Sequence, residues 1–170
     1  MFATGKGAGS GMIADPNFYY NTLLLNGDGA TNGANNGVFL DSSSNNFSIT
    51  TSGANTTQGS FSPFGSDWSN YFNGTSDYFT VPNNSTFNFG TGDFTIECWV
   101  YTNSSATQRI VSYATGNNLP YEFLLVNSGS NVYLDFYDGS VDMTTGTNYV
   151  PQNQWVHIAV TRAGTSVRLF

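Results

Sequence analysis

The amino-acid sequence predicts an all-β protein, an antiparallel sandwich of short strands. Short apolar runs alternate with turn signals along most of the chain. The segment Phe94–Tyr101 alternates between two faces through its whole length, and no window carries a helical period. Composition points the same way. Charged residues are only 9% of the chain and aromatics 16%, so solubility rests on Asn, Ser, Thr and Gly, which suit turns and strands better than helices.

Taken in order, residues 1–20 mix Gly, Ala and Ser with Phe2, Met12, Ile13, Phe18, Tyr19 and Tyr20 at no fixed spacing. Two readings of this extended N-terminal arm stand: a disordered tail, or a segment that orders by docking its aromatics on a neighbouring subunit. The sandwich is expected over residues 21–170, a length that fits one domain with a real core. Leu23–Leu25 reads as a strand running into the turn Asn26-Gly27-Asp28-Gly29. Val38–Leu40 and Phe47–Thr50 read as further strands on either side of a Ser/Asn-rich turn.

Asn73-Gly74 predicts a tight turn before a strand Tyr78–Val81, which Pro82 ends. Gly90 and Gly92 turn the chain into the clearest strand, where Phe94, Ile96, Cys98 and Val100 form the core side against Thr95, Glu97, Trp99 and Tyr101. Val132, Leu134 and Phe136 alternate with Tyr133, Asp135 and Tyr137. Val156, Ile158 and Val160 alternate likewise with Trp155, His157 and Ala159. Asp138-Gly139 and Ala163-Gly164 are the expected reversals, the second leading into a strand Val167–Phe170.

Charge narrows the function. Four basic residues, Lys6, Arg109, Arg162 and Arg168, stand against eleven acids, and the net charge of −7 opposes the phosphate neutralisation that a nucleic-acid partner requires. The bases are scattered and no apolar run reaches spanning length, so membrane insertion is not expected. Cys98 is the single cysteine and cannot form an intrachain disulfide; its place among core residues makes it a buried small hydrophobe. The first residues lack the apolar run of a signal peptide, which leads to the expectation of export by another route, such as release with virus particles by lysis.

Four segments together resemble a known family. They are Thr22–Gly29 with Leu40–Ile49, then Ser69–Pro82 (SNYFNGTSDYFTVP), then Phe87–Tyr101 (FNFGTGDFTIECWVY), and Asn153–Phe170 (NQWVHIAVTRAGTSVRLF). In this order they resemble the laminin-G-like domains of the concanavalin A-like lectin/glucanase superfamily, across residues 21–170. The resemblance implies a jelly-roll sandwich, and the family's last segment normally runs on through further strands. Asp15–Gly29 with Thr56–Gly74 also resembles the version of this domain in tail fibres and other structural proteins of bacteriophages.

What the resemblance implies about a site is weighed against the residues. Glucanases of the superfamily resemble one another in an acidic strand motif of two glutamates with an intervening aspartate; Glu97 and Glu122 are the only glutamates here, and no other acid follows Glu97 on its strand. His157, the only histidine, has no Ser or Cys near it in sequence to activate. No catalytic residue is therefore expected. The superfamily often holds Ca²⁺ at the sandwich rim through Asp and Asn, which makes turn residues Asp28, Asp77, Asp93 and Asp138 metal candidates, Asp77 foremost; as good turn formers they also explain themselves. Trp68, Tyr71 and Tyr113, in or near expected loops, are candidates for stacking on sugar rings.

The functional expectation is a non-catalytic structural or adhesion protein of a phage virion, a tail fibre or surface-decorating protein. In this reading residues 1–20 attach it to other virion proteins, the sandwich makes protein contacts or binds a host-surface glycan, and the chain forms a homo-oligomer, a trimer if it is a fibre. The alternative is a carbohydrate-binding lectin domain of a bacterial surface protein.

Overall fold

The computed structural model describes residues 16–25, 39–53, 56–59, 61–64, 68–115, 118–140, 142–147 and 149–170. The chain divides into two compact units, Met1–Asn84 and Ser85–Phe170. The expected boundary between residues 20 and 21 falls inside the first unit. Most of the expected arm, residues 1–15, lies outside the described residues. Its end is not extended: Phe18–Tyr20 makes one 3-10 turn, closed by the Tyr20 N–H on the Asn17 carbonyl at 2.9 Å. Tyr19 and Tyr20 stand 80% and 83% exposed on it.

The first unit holds β1 (Thr50–Ser52), β2 (Thr56–Gly59), β3 (Trp68–Tyr71) and β4 (Tyr78–Thr80). They form two antiparallel pairs, β1 with β4 and β2 with β3. The strands expected at Leu23–Leu25 and Val38–Leu40 shrink to single bridges, Leu25 to Asp41 and Leu40 to Ser48, with Val38 outside the described residues. Regular pairing after Phe47 begins only at Thr50.

The cause is Asp41. Its carboxylate accepts the N–H groups of Leu24, Ser43 and Phe47, each at 2.9 Å, so a side chain takes donors that a ladder would otherwise use. Phe79 of β4 packs between Phe39 and Phe72, with ring centroids 4.2 and 4.9 Å away, and gives the unit a small aromatic centre.

The second unit is a two-sheet antiparallel sandwich. Its strands are β5 (Phe94–Tyr101), β6 (Gln108–Thr115), β7 (Asn118–Ser128), β8 (Asn131–Tyr137), β9 (Asp142–Thr144), β10 (Trp155–Ala163) and β11 (Ser166–Leu169). One sheet runs β11-β10-β5 and the other β6-β7-β8-β9. The expected strand Phe94–Tyr101 is found at its expected bounds, and the inner residues of β8 and β10 are those the alternation selects. β6 and β7 carry weaker alternation in sequence. β6 has two register shifts against β7, and each changes the side its residues face.

The core explains the pairing of the sheets. Phe123 and Leu125 of β7 and Val132, Leu134 and Phe136 of β8 are at most 2% exposed, as are Ile158 and Val160 of β10. Phe94, Ile96, Cys98 and Val100 of β5 pack against them, and the rings of Phe94 and Phe136 meet at 5.6 Å. Arg162 of β10 locks the turn before β5. Its guanidinium donates to the carbonyls of Gly92 at 2.7 Å and Gly90 at 2.8 Å, and lies 4.9 Å over the Phe94 ring.

Candidate functional site

On β7 and β8 the core claims every second side chain, so those between turn to the other face of the four-stranded sheet. That face carries Glu122 and Leu124 on β7 and Tyr133, Asp135 and Tyr137 on β8. The register places Glu122 opposite Tyr137 and Leu124 opposite Asp135. On the far side of β8, Asp135 faces Thr144 and Tyr137 faces Asp142 of β9. Asp135 is therefore the diagonal neighbour of both Glu122 and Asp142, a relation that puts its Cα roughly 7–8 Å from each, while those two flank Tyr137 from opposite sides.

Their environments differ. Glu122 is ion-paired with Arg109 of β6, whose long side chain lies mostly in solvent while the glutamate is nearly covered. Asp135 is only 7% exposed, and among the described residues no hydrogen-bond donor reaches its carboxylate. Burial pushes its carboxyl above the ordinary value, and the negative charges of Asp142 and Glu122 push it further. Of the three acids, Glu122 is the one paired with Arg109.

The residues singled out from sequence lie elsewhere. Tyr113 is not in a loop but on β6, where its ring stacks on Tyr121 at 5.4 Å and packs against the core. Tyr71 ends β3 with 52% of its surface exposed. Trp68 begins the same strand, and its side chain lies outside the described residues.

Asp77 closes the loop after β3. Its carboxylate accepts from the Asn73 N–H at 3.1 Å and the Ser76 hydroxyl at 3.3 Å. One of its oxygens lies so near Gly53, at φ +81°, that a Cβ there would come within 2.0 Å of it. Both Asp77 oxygens thus accept hydrogen bonds from the residues of its own loop. Asp93 is likewise turned to the Gly164 N–H at 2.7 Å, and Asp138 to the N–H and hydroxyl of Ser140 at 3.0 and 2.9 Å. Asp28 lies outside the described residues. Among the described residues no group of three His, Cys, Asp or Glu side chains is arranged to hold a metal ion.

His157 on the outer side of the other sheet pairs with Glu97 at 3.5 Å and lies against Trp99, with ring centroids 5.4 Å apart. The Cys98 thiol is pushed up to about 12, chiefly by burial, which leaves it an inert packing group. Glu122, Asp135 and Asp142 escape a search for acids along one strand because each strand supplies one. The signal that finds them is the polar position within Tyr133-Leu134-Asp135-Phe136-Tyr137, where an acid sits between two tyrosines on the side away from the core.

An antiparallel two-sheet sandwich of this kind defines a lectin-type domain, a class whose members are typically binding modules. More particularly, the chain belongs to the concanavalin A-like lectin/glucanases superfamily, since a laminin-G-type family model of that description matches residues 73–170. The match covers the two later segments of the resemblance and most of Ser69–Pro82, and does not extend to residues 21–72. No curated protein and no solved structure matches the chain. Among the described residues no helix is long and apolar enough to cross a membrane.

Proposed function

We propose that the chain is a non-catalytic adhesion module that binds a surface polysaccharide on the outer face of its four-stranded sheet. The observation that carries this reading is that Glu122 and Asp135 share that face with Tyr133 and Tyr137. Carboxylates accept sugar hydroxyls, and flat rings on the same face suit the apolar side of a pyranose.

The particular setting we propose is a phage particle, with the domain in a tail fibre or a surface-decorating protein and a host-surface glycan as ligand. The likeness of Asp15–Gly29 and Thr56–Gly74 to virion proteins supports it. In that setting residues 1–20 bind other virion proteins and the chain assembles as a homo-oligomer, a trimer in a fibre.

The test is retention of bacterial surface polysaccharides on the immobilised protein, compared with a Tyr133→Ala/Tyr137→Ala double variant. Binding that the double variant loses supports the reading. Equal retention by both proteins, or none by either, overturns it, and release of new reducing ends would make the domain a hydrolase. Antibody labelling of purified particles and of bacterial cells separates the virion setting from a bacterial surface lectin.

A further inference from the structure

We propose that the edge of β11 takes an extended peptide strand of another protein, one with an acidic residue between two apolar ones. The site lies on the three-stranded sheet, and the inference is independent of the glycan face on the other sheet.

Backbone pairing is the first ground. Phe170 exchanges both its backbone hydrogen bonds with Ala159, at 2.9 and 3.1 Å. In an antiparallel ladder such pairs alternate with pairs that exchange none. Arg168 therefore bonds Thr161, while Val167 and Leu169 turn their N–H and C=O groups away from β10. β11 is the last strand of its sheet, and among the described residues nothing pairs with those groups. An unpaired row of this kind is a template for a further strand.

The side chains of the same two residues are the second ground. Val167 and Leu169 face the sandwich interior and, with Met143, Thr144 and Thr145 at the edge of the other sheet, line a cleft of about 330 Å³. An added antiparallel strand places the residues opposite Val167 and Leu169 in hydrogen-bonded pairs, with their side chains over this cleft. Apolar side chains there cover Met143, Val167 and Leu169, which the core leaves partly exposed.

Charge selects the residue between them. Arg109 is paired with Glu122 and Arg162 serves the Gly90 and Gly92 carbonyls, whereas Arg168 is exposed and, among the described residues, has no acid beside it. Across the new ladder Arg168 and the middle residue form a non-hydrogen-bonded pair, the closer kind, in which opposite charges attract and like charges repel. The same rule works against a second copy of β11 as the occupant. Pairing Val167 with Leu169 across a twofold axis sets Arg168 against Arg168.

The experiment measures binding of short capped peptides to the full chain by fluorescence anisotropy. Within a Ser/Thr frame the peptides carry Val-Glu-Val, Val-Lys-Val, or Val-Glu-Val methylated on both valine nitrogens. The first is expected to bind at least about fivefold tighter than the second, and the methylated peptide not at all. Arg168→Gln should level the two unmethylated peptides and Arg168→Glu should reverse their order. Hydrogen exchange at the Val167 and Leu169 amides should slow in the complex.

Equal binding of the Glu and Lys peptides by the parent, binding that survives methylation, or no binding of any peptide overturns the proposal. Protection of the Val167 and Leu169 amides that grows with the concentration of the chain alone also overturns it, because a second copy is then the occupant.

Discussion

The Asp41 carboxylate and the backbone N–H of Leu24 meet at 2.9 Å across seventeen residues of sequence. With Asp41 only 3% exposed and also holding Ser43 and Phe47, one side chain organises three backbone stretches of the first unit. Replacing Asp41 by Ala should cost about 3 kcal/mol, because buried donors lose a charged acceptor. Urea unfolding of the variant against the parent measures it.

Acidity should reverse that contribution. Burial alone would raise the Asp41 carboxyl, but its hydrogen bonds from Leu24, Phe47 and Ser43 outweigh burial and hold it below the ordinary 3.8. A lowered value in the folded state means the stabilisation is complete above about pH 4 and is lost as pH falls through the folded value. The melting-temperature gap between the parent and Asp41→Asn should therefore narrow steadily below pH 4. A gap that stays constant down to pH 2 would contradict the hub.

Asp135 should behave oppositely. Its carboxyl is raised by burial and by Asp142 and Glu122, so the folded state disfavours the ionised form. The cost is absent at low pH, grows as pH rises from the unfolded value towards the folded one, and is complete above the latter. Asp135→Asn should accordingly stabilise the protein at neutral pH, on the order of 1 kcal/mol, with the gain vanishing below about pH 4. A calorimetric pH series measures it, and a destabilised variant at pH 7 would show that Asp135 serves the fold.

Arg162 offers a test of geometry against charge. Its planar head serves the Gly90 and Gly92 carbonyls together while covering the Phe94 ring. Lys keeps the charge and loses the fork, so Arg162→Lys should cost about 1–2 kcal/mol, most of what Arg162→Ala costs. Thermal melts of the pair give the comparison.

Cys98 should report on the sandwich. Its thiol, raised to about 12 and packed against the core, should react with a thiol reagent at pH 8 far more slowly than free cysteine. Phe123→Ala, at a fully buried ring, should cost about 3–5 kcal/mol and speed that labelling. Fast labelling of the parent protein would place Cys98 outside the packed interior.

Local pattern made much of the second unit legible. β5 shows in the alternation of Phe94, Ile96, Cys98 and Val100, and the reversal at Ala163-Gly164 appears in the structure as β10 turning into β11, because side-chain period and turn chemistry are properties of neighbouring residues. Asp41 was less readable. Its motif marks a turn, but nothing near it in sequence shows that its carboxylate reaches back to Leu24 and replaces strand pairing there.

The chain by itself determined the class of fold, most inner faces of the sandwich and its net acidity. Only the tertiary structure decided that Tyr113 packs inward on Tyr121, that Asp77 is spent on its own loop, and that Glu122, Asp135 and Asp142 share one face. The reason is register. Alternation says which side of a strand a residue takes, but which residues of other strands stand beside it depends on how those strands pair, and pairing is set by the burial of Phe123, Phe136 and Ile158 rather than by the acids themselves.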